Sequence, residues 1–174
     1  MTQEKNQVFA KLFDIYDLTS ECSDLCPSGC SLCENKETLM LLPFEDEYIC
    51  SESGKDQRDM YLKNQNGHCY QPPGFSCSNL GLTGACRIYQ VRPFDCRSFP
   101  IVPKFGPDHA IDFYLAGSYC PLINKLPEYF IRTTIECWES IFENLPNDWK
   151  NMYNRLNEHN YSNQIIDSGF QQSS

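Results

Sequence analysis

Apolar residues near the start of the chain fall at Val8, Leu12 and Ile15 and at Phe9, Phe13 and Tyr16, so residues 4–18 are predicted to form an amphipathic helix. The same period returns after Pro127. There "PEYFIRTTIECWESIFENL" places Ile131, Ile135, Trp138, Phe142 and Leu145 on one face. "PNDWKNMYNRLNEHN", opening at Pro146, predicts a second helix, with Trp138 and Trp149 expected to pack the pair together. "LMLLPFEDEYI" predicts a short helix: Pro43 suits a first turn, and Glu45, Asp46 and Glu47 suit a positive helix N-terminus. In "FPIVPKFGPDHAIDFYLAG" the pattern changes to alternation, and Gly106-Pro107-Asp108 supplies the turn of a β-hairpin. Residues 51–85 are rich in Ser, Gly, Asn, Gln and Pro, and "QPPGFSCSNLGLTGAC" fits no regular element. A loop of that length needs something to pin it, and Cys69, Cys77 and Cys86 are candidates. The closing "SNQIIDSGFQQSS" reads as a frayed tail.

The 174 residues suit one domain, read as 1–160 with a flexible tail over 161–174. A formal charge of -9 argues against a nucleic-acid partner. The imbalance is uneven: the acidic excess lies mainly in the first sixty residues, whereas Arg87, Arg92, Arg97 and Lys104 form a basic segment. No apolar run approaches the roughly 18 residues of a membrane span. "MTQEKNQVFAKLFDIYDL" lacks the basic start and unbroken apolar stretch of an export signal, so a cytoplasmic setting is expected. In that setting 11 cysteines point to metal ligation ahead of a disulfide framework.

The spacing Cys22-x3-Cys26-x3-Cys30-x2-Cys33 packs four thiols into one short stretch, as thiolate ligands around a zinc or iron centre require. Cys69, Cys77, Cys86, Cys96 and Cys120 follow in the Gly/Pro-rich middle of the chain. Four thiolates leave a net charge of about -2 on either zinc or an oxidised [4Fe–4S] core. Arg87 and Arg97 each directly follow a cysteine and Arg92 lies between them, so they could supply counter-charge around the sulfurs; ion pairing with the acidic N-terminal half is the alternative. The expected architecture is irregular α+β: a small metal-pinned, cysteine-rich region with a β-hairpin, flanked by an N-terminal helix and a C-terminal helical pair.

"CRIYQVRPFDCRSFP", Cys86 to Pro100, resembles the C-x-I-Y-x-x-R-P-x-x-C-R-x-F-P signature of the YkgJ-like cysteine-cluster family, described as zinc- or iron-chelating domains of the CxxCxxCC type. The matching positions are Cys86, Ile88, Tyr89, Arg92, Pro93, Cys96, Arg97, Phe99 and Pro100. "Cys77-Ser-Asn-Leu" is similar to the family's C-x-F-L, and Cys120-Pro121 to a later Cys-Pro, so the likeness spans about residues 22–121. The family ends its first cluster in adjacent cysteines; here Glu34 follows Cys33, and Cys22 is the candidate for the missing thiol. The resemblance implies metal or iron–sulfur binding without a settled reaction; some relatives are fused to or resemble protein lysine methylases.

Within the signature, Pro93 would set a turn or a helix start between the two cysteines. Ile88, Tyr89 and Phe99 would shield the centre, and Arg92 is the first choice for a donor to its sulfurs. Cys137 reads as a small buried residue and Cys50 lies outside the clusters; His68 reads as a loop histidine sooner than a ligand. Asp14, Asp17 and Glu45–Glu47 read as solvated helix faces. No phosphate loop and no nucleophilic set is visible. The leading expectation is an iron–sulfur protein, [4Fe–4S], with an electron-transfer, redox-sensing or accessory role and another protein as partner. A zinc-stabilised interaction module is the alternative, and a protein-modifying enzyme such as a lysine methylase the third reading. Nine candidate ligands exceed the four that one centre needs, leaving either two centres or spare thiols.

Overall fold

The computed structural model describes residues 38–43, 45–54, 61–72, 74, 77–82, 86–107, 110–116, 126–161 and 165–166. Among them it is a mixed α+β arrangement of four α-helices and two small antiparallel sheets. The helix expected over residues 4–18 lies outside the described residues.

The first sheet has the order β1-β3-β2, from β1 (Leu39–Met40), β2 (Leu62–Lys63) and β3 (Cys69–Gln71). Alternation along Leu39–Leu42 divides the interior: Leu39 and Leu41 join a small apolar cluster, and Met40 and Leu42 join the main core. The short helix expected from Pro43 and the acids after it is present as α1 (Glu45–Ser53), with Glu45, Asp46 and Glu47 in its first turn. β2 and β3 correct the reading of residues 51–85 as loop throughout. The turn between them is shaped by Asn64, whose Oδ1 accepts from the N–H groups of Asn66 and His68, both at 2.9 Å. Gly67, at φ 81°, takes the left-handed position.

The second sheet has the order β4-β5-β6. The expected hairpin is present: β4 (Ile101–Phe105) pairs antiparallel with β5 (Ile111–Leu115). Pro103 donates no ladder bond and accordingly lies on an edge strand. That edge is closed by Asn154, which accepts from Phe105 N–H at 3.0 Å and donates to its carbonyl at 2.7 Å. On the other side, β6 (Ile165–Ile166) pairs with Phe113 and Tyr114, so the expected tail contributes a strand. Tyr161 anchors to β4, donating to the Pro103 carbonyl at 3.1 Å.

The C-terminal helices are α3 (Glu128–Phe142) and α4 (Asn147–Leu156), each preceded by a proline. Their apolar faces cover β4, but the buried face of α3 is rotated from expectation. Phe130, Thr134, Cys137, Trp138, Ile141 and Phe142 are buried, while Ile131 and Ile135 are only partly so. Trp138 and Trp149 each pack on Tyr153, at ring separations of 5.7 and 5.1 Å, and each meets Phe105. The aromatic centre of the core is therefore shared by sheet and helices. No described helix is long and apolar enough to cross a membrane.

Candidate functional site

The signature segment builds its own helix. Pro93 supplies the carbonyl that accepts from Cys96 N–H (2.9 Å) and Arg97 N–H (3.1 Å), starting the one-turn α2 (Phe94–Arg97) as its position predicted. Phe94 and Asp95 anchor that turn. Phe94 lies 4.6 Å from the ring of Trp138. Asp95, 1% exposed, accepts from Met40 N–H at 3.1 Å and from the Tyr153 hydroxyl at 2.7 Å, tying β1, α2 and α4 together. With those two side chains held in the main core, Cys96 on the same turn packs against the small cluster instead.

The other segments meet it there. Leu80 N–H donates to the Cys77 carbonyl at 3.0 Å, and Leu80 forms an isolated bridge with Cys86. Arg87 fastens the same loop: its N–H donates to the Asn79 carbonyl at 2.8 Å and its guanidinium to the Ser78 carbonyl. Inside, Tyr61 packs with Leu39, Leu41, Ile49, Cys69 and Ile88, and Cys86 and Cys96 lie against that group. The Tyr61 hydroxyl accepts from the side chain of Asn79 at 3.2 Å, and Asn79 is itself buried. Burial raises the pKa of this phenol, and the neighbouring sulfurs of Cys96, Cys77 and Cys86 raise it further, as does Glu45. Cys86 and Cys96 thus lie against the cluster that holds this phenol.

Cys69, a member of that cluster, also reaches polar groups at its edge. Its thiol donates to Asp46 Oδ2 at 3.3 Å, and Lys63 Nζ lies 2.9 Å from the same oxygen. Burial and the bond to Asp46 push the Cys69 thiol up to about 12, so the proton stays on sulfur. The signature's basic residues hold main chain. Arg92 donates to the Tyr89 carbonyl at 3.1 Å and stacks 3.9 Å over the Tyr89 ring. Arg97 donates to the carbonyls of Arg92, at 2.7 Å, and Gln90, at 3.4 Å. Phe99, expected to shield the centre, packs on the main core, while Ile88 is buried beside the cysteines.

Glu45 corrects the reading of residues 45–47 as a solvated face. It is buried and accepts from Leu42 N–H at 2.9 Å and Phe94 N–H at 2.6 Å, joining the starts of α1 and α2. Burial pushes its carboxyl to about 7, against the opposing pull of those two N–H groups and of Arg97. His68 is a loop residue as expected, with Nε2 2.8 Å from Asp148 at the start of α4. Cys137 is buried in α3, and Cys50 is partly buried in α1.

Among the nine candidate ligands, Cys69 is buried in the small apolar cluster, Cys86 and Cys96 pack against it, Cys77 lies on the loop whose Leu80 bridges to Cys86, and Cys22, Cys26, Cys30, Cys33 and Cys120 lie outside the described residues. Among the described residues no group of three or more His, Cys, Asp or Glu side chains closes into a metal-binding shell. Thiols suit a soft metal, and a centre near this cluster would need ligands from the other cysteines beside Cys69, Cys86 and Cys96. Tyr61, Asn79 and Glu45 carry no sequence signal for this site beyond their polarity. Comparison with protein-family models, with curated proteins and with solved structures finds no match to this chain.

Proposed function

We propose that the chain is a thiolate-ligated metal protein of the YkgJ-like kind, carrying a [4Fe–4S] cluster in an electron-transfer, redox-sensing or accessory role. The observation that supports this reading is the packing of Cys86 and Cys96, from two segments, against the small buried cluster that holds Cys69 and Tyr61. The one-turn helix places Cys96, and the bridge to Leu80 holds Cys86, against that cluster. Free thiols gain little from such company, whereas thiolates on a cation gain ligation and lose water. In this reading Cys77, Cys86 and Cys96 are ligands, with others drawn from Cys22, Cys26, Cys30, Cys33 and Cys120. Cys69, whose thiol donates to Asp46, lies in the same cluster and stays among the candidate ligands. Arg92 and Arg97 shape the backbone of residues 89–92 and place positive charge beside Cys96. When bound, the cluster supplies one-electron chemistry. The acidic composition suits a basic protein partner, and the setting is cytoplasmic.

The test is anaerobic purification followed by a visible spectrum and iron, sulfide and zinc analysis. Broad visible absorption with matching iron and sulfide is expected. A colourless protein with stoichiometric zinc would replace the cluster with a zinc-stabilised interaction module. A compact, metal-free protein after treatment with chelator and reductant would end both readings.

A further inference from the structure

We propose that Asn66 is a self-modifying residue: its side-chain amide is lost through a cyclic imide formed with the Gly67 nitrogen, and the carboxylate that replaces it faces Asp148 and releases the β2–β3 turn from α4. Asn66-Gly67 is the one Asn-Gly pair in the sequence, and both residues are exposed. A glycine nitrogen is the least hindered nucleophile a backbone offers. No atom lies within 4 Å of the place a Cβ at Gly67 would take, so water has open access to the pair. In the step, Gly67 N bonds to Asn66 Cγ, the Cγ–Nδ2 bond breaks, and ammonia leaves with the proton given up by the Gly67 nitrogen. Water then opens the imide at one of its two carbonyls, giving aspartate or, with the chain rerouted through the side chain, isoaspartate. The net change is amide plus water to acid plus ammonia, with no oxidant, reductant or metal. The bonds that restrain the reacting atoms lie at the surface: Gly67 N–H donates to the Asn64 carbonyl at 3.0 Å and Asn66 Nδ2 to Asp148 Oδ2 at 2.7 Å. Such bonds open locally without unfolding the domain. Asn66 is also part of the tether between turn and helix, beside His68 Nε2, 2.8 Å from the same Asp148 oxygen, and Asn64 Nδ2, which donates to Met152 Sδ at 3.1 Å. Deamidation replaces a donor with an acceptor there, so two carboxylates face each other. β3 follows the turn directly and carries Cys69, so a loosened turn reaches the small cluster.

The experiment incubates the folded full chain at mildly alkaline pH beside a urea-unfolded sample and maps the peptides of both by mass spectrometry. Asn66 should be the first asparagine of the folded chain to take on the mass of the acid, as a mixture of aspartate and isoaspartate. Asn66 still an amide in the folded chain once the unfolded sample has converted it, or an amide in both, would overturn the site. Release from α4 is read separately, by hydrogen exchange over residues 62–68. Asn66→Asp should exchange there about two- to fivefold faster than Asn66→Ala, which loses the same hydrogen bond without gaining charge. Combining Asn66→Asp with Asp148→Asn should return exchange to the wild-type rate, because the donor–acceptor pair is restored with its ends exchanged. Equal exchange in Asn66→Asp and Asn66→Ala, or no recovery in the double variant, would overturn the release from α4.

Discussion

Asp95 offers a sharp test of how the signature segment is anchored. Its carboxylate lies deep in the protein and receives one backbone and one side-chain donor, Met40 N–H and the Tyr153 hydroxyl. Replacing it with alanine leaves both donors buried without an acceptor, at a cost of about 1–3 kcal/mol each, so Asp95→Ala should destabilise by about 2–6 kcal/mol. Against a typical total of roughly 5–15 kcal/mol, that is a large share. A double-mutant cycle isolates the hydroxyl bond. Tyr153→Phe removes only the oxygen, and hydrogen bonds to a charged group are worth about 1.5–3 kcal/mol. The cost of Tyr153→Phe should therefore fall by about that amount once Asp95 is already alanine. Urea unfolding read by tryptophan fluorescence suits the measurement, because Trp138 and Trp149 are buried beside Tyr153. Coupling below about 0.5 kcal/mol would mean the two groups act independently, and the anchoring reasoning would fail.

Two further outcomes are expected. Glu45 is protonated in the folded protein up to about pH 7, whereas the unfolded chain loses that proton near 4.5. Its contribution is therefore fully present below pH 4.5 and lost as the pH rises to 7, about 3 kcal/mol in all. The stability of wild type relative to Glu45→Gln should decline by roughly that much across the same range. A flat difference in urea-unfolding free energy from pH 4.5 to 7.5 would refute it. Cys96→Ser should lower metal content and raise protease sensitivity in the middle third of the chain, because ligation there supplies folding energy; unchanged metal analysis and digestion pattern would remove Cys96 from the ligands.

Periodicity was enough to place the helices over 128–142 and 147–156 and the hairpin of β4 and β5, because those elements are long and their apolar faces are continuous. The face of α3 was harder. Ile131 and Ile135 looked like core, yet Phe130 and Thr134 are buried instead, since the shape of the neighbouring aromatic cluster chooses among adjacent apolar positions. β2 and β3 escaped notice because strands of two and three residues leave too little alternation, although Asn64 and Asn66-Gly67 announced the turn between them.

Residue chemistry and spacing alone marked Cys86, Pro93 and Cys96 as one unit and assigned Pro93 the start of a turn, since proline's fixed φ acts locally. Tertiary structure decided which thiols share a neighbourhood. It packs Cys86 and Cys96 against the cluster that holds Tyr61 and Cys69, and turns the Cys69 thiol toward Asp46. It also buries Glu45 between two helix starts. Those outcomes depend on contacts between segments remote in sequence. A carboxylate or a thiol takes its burial, its partners and its protonation from the fold around it, and local pattern carries none of that information.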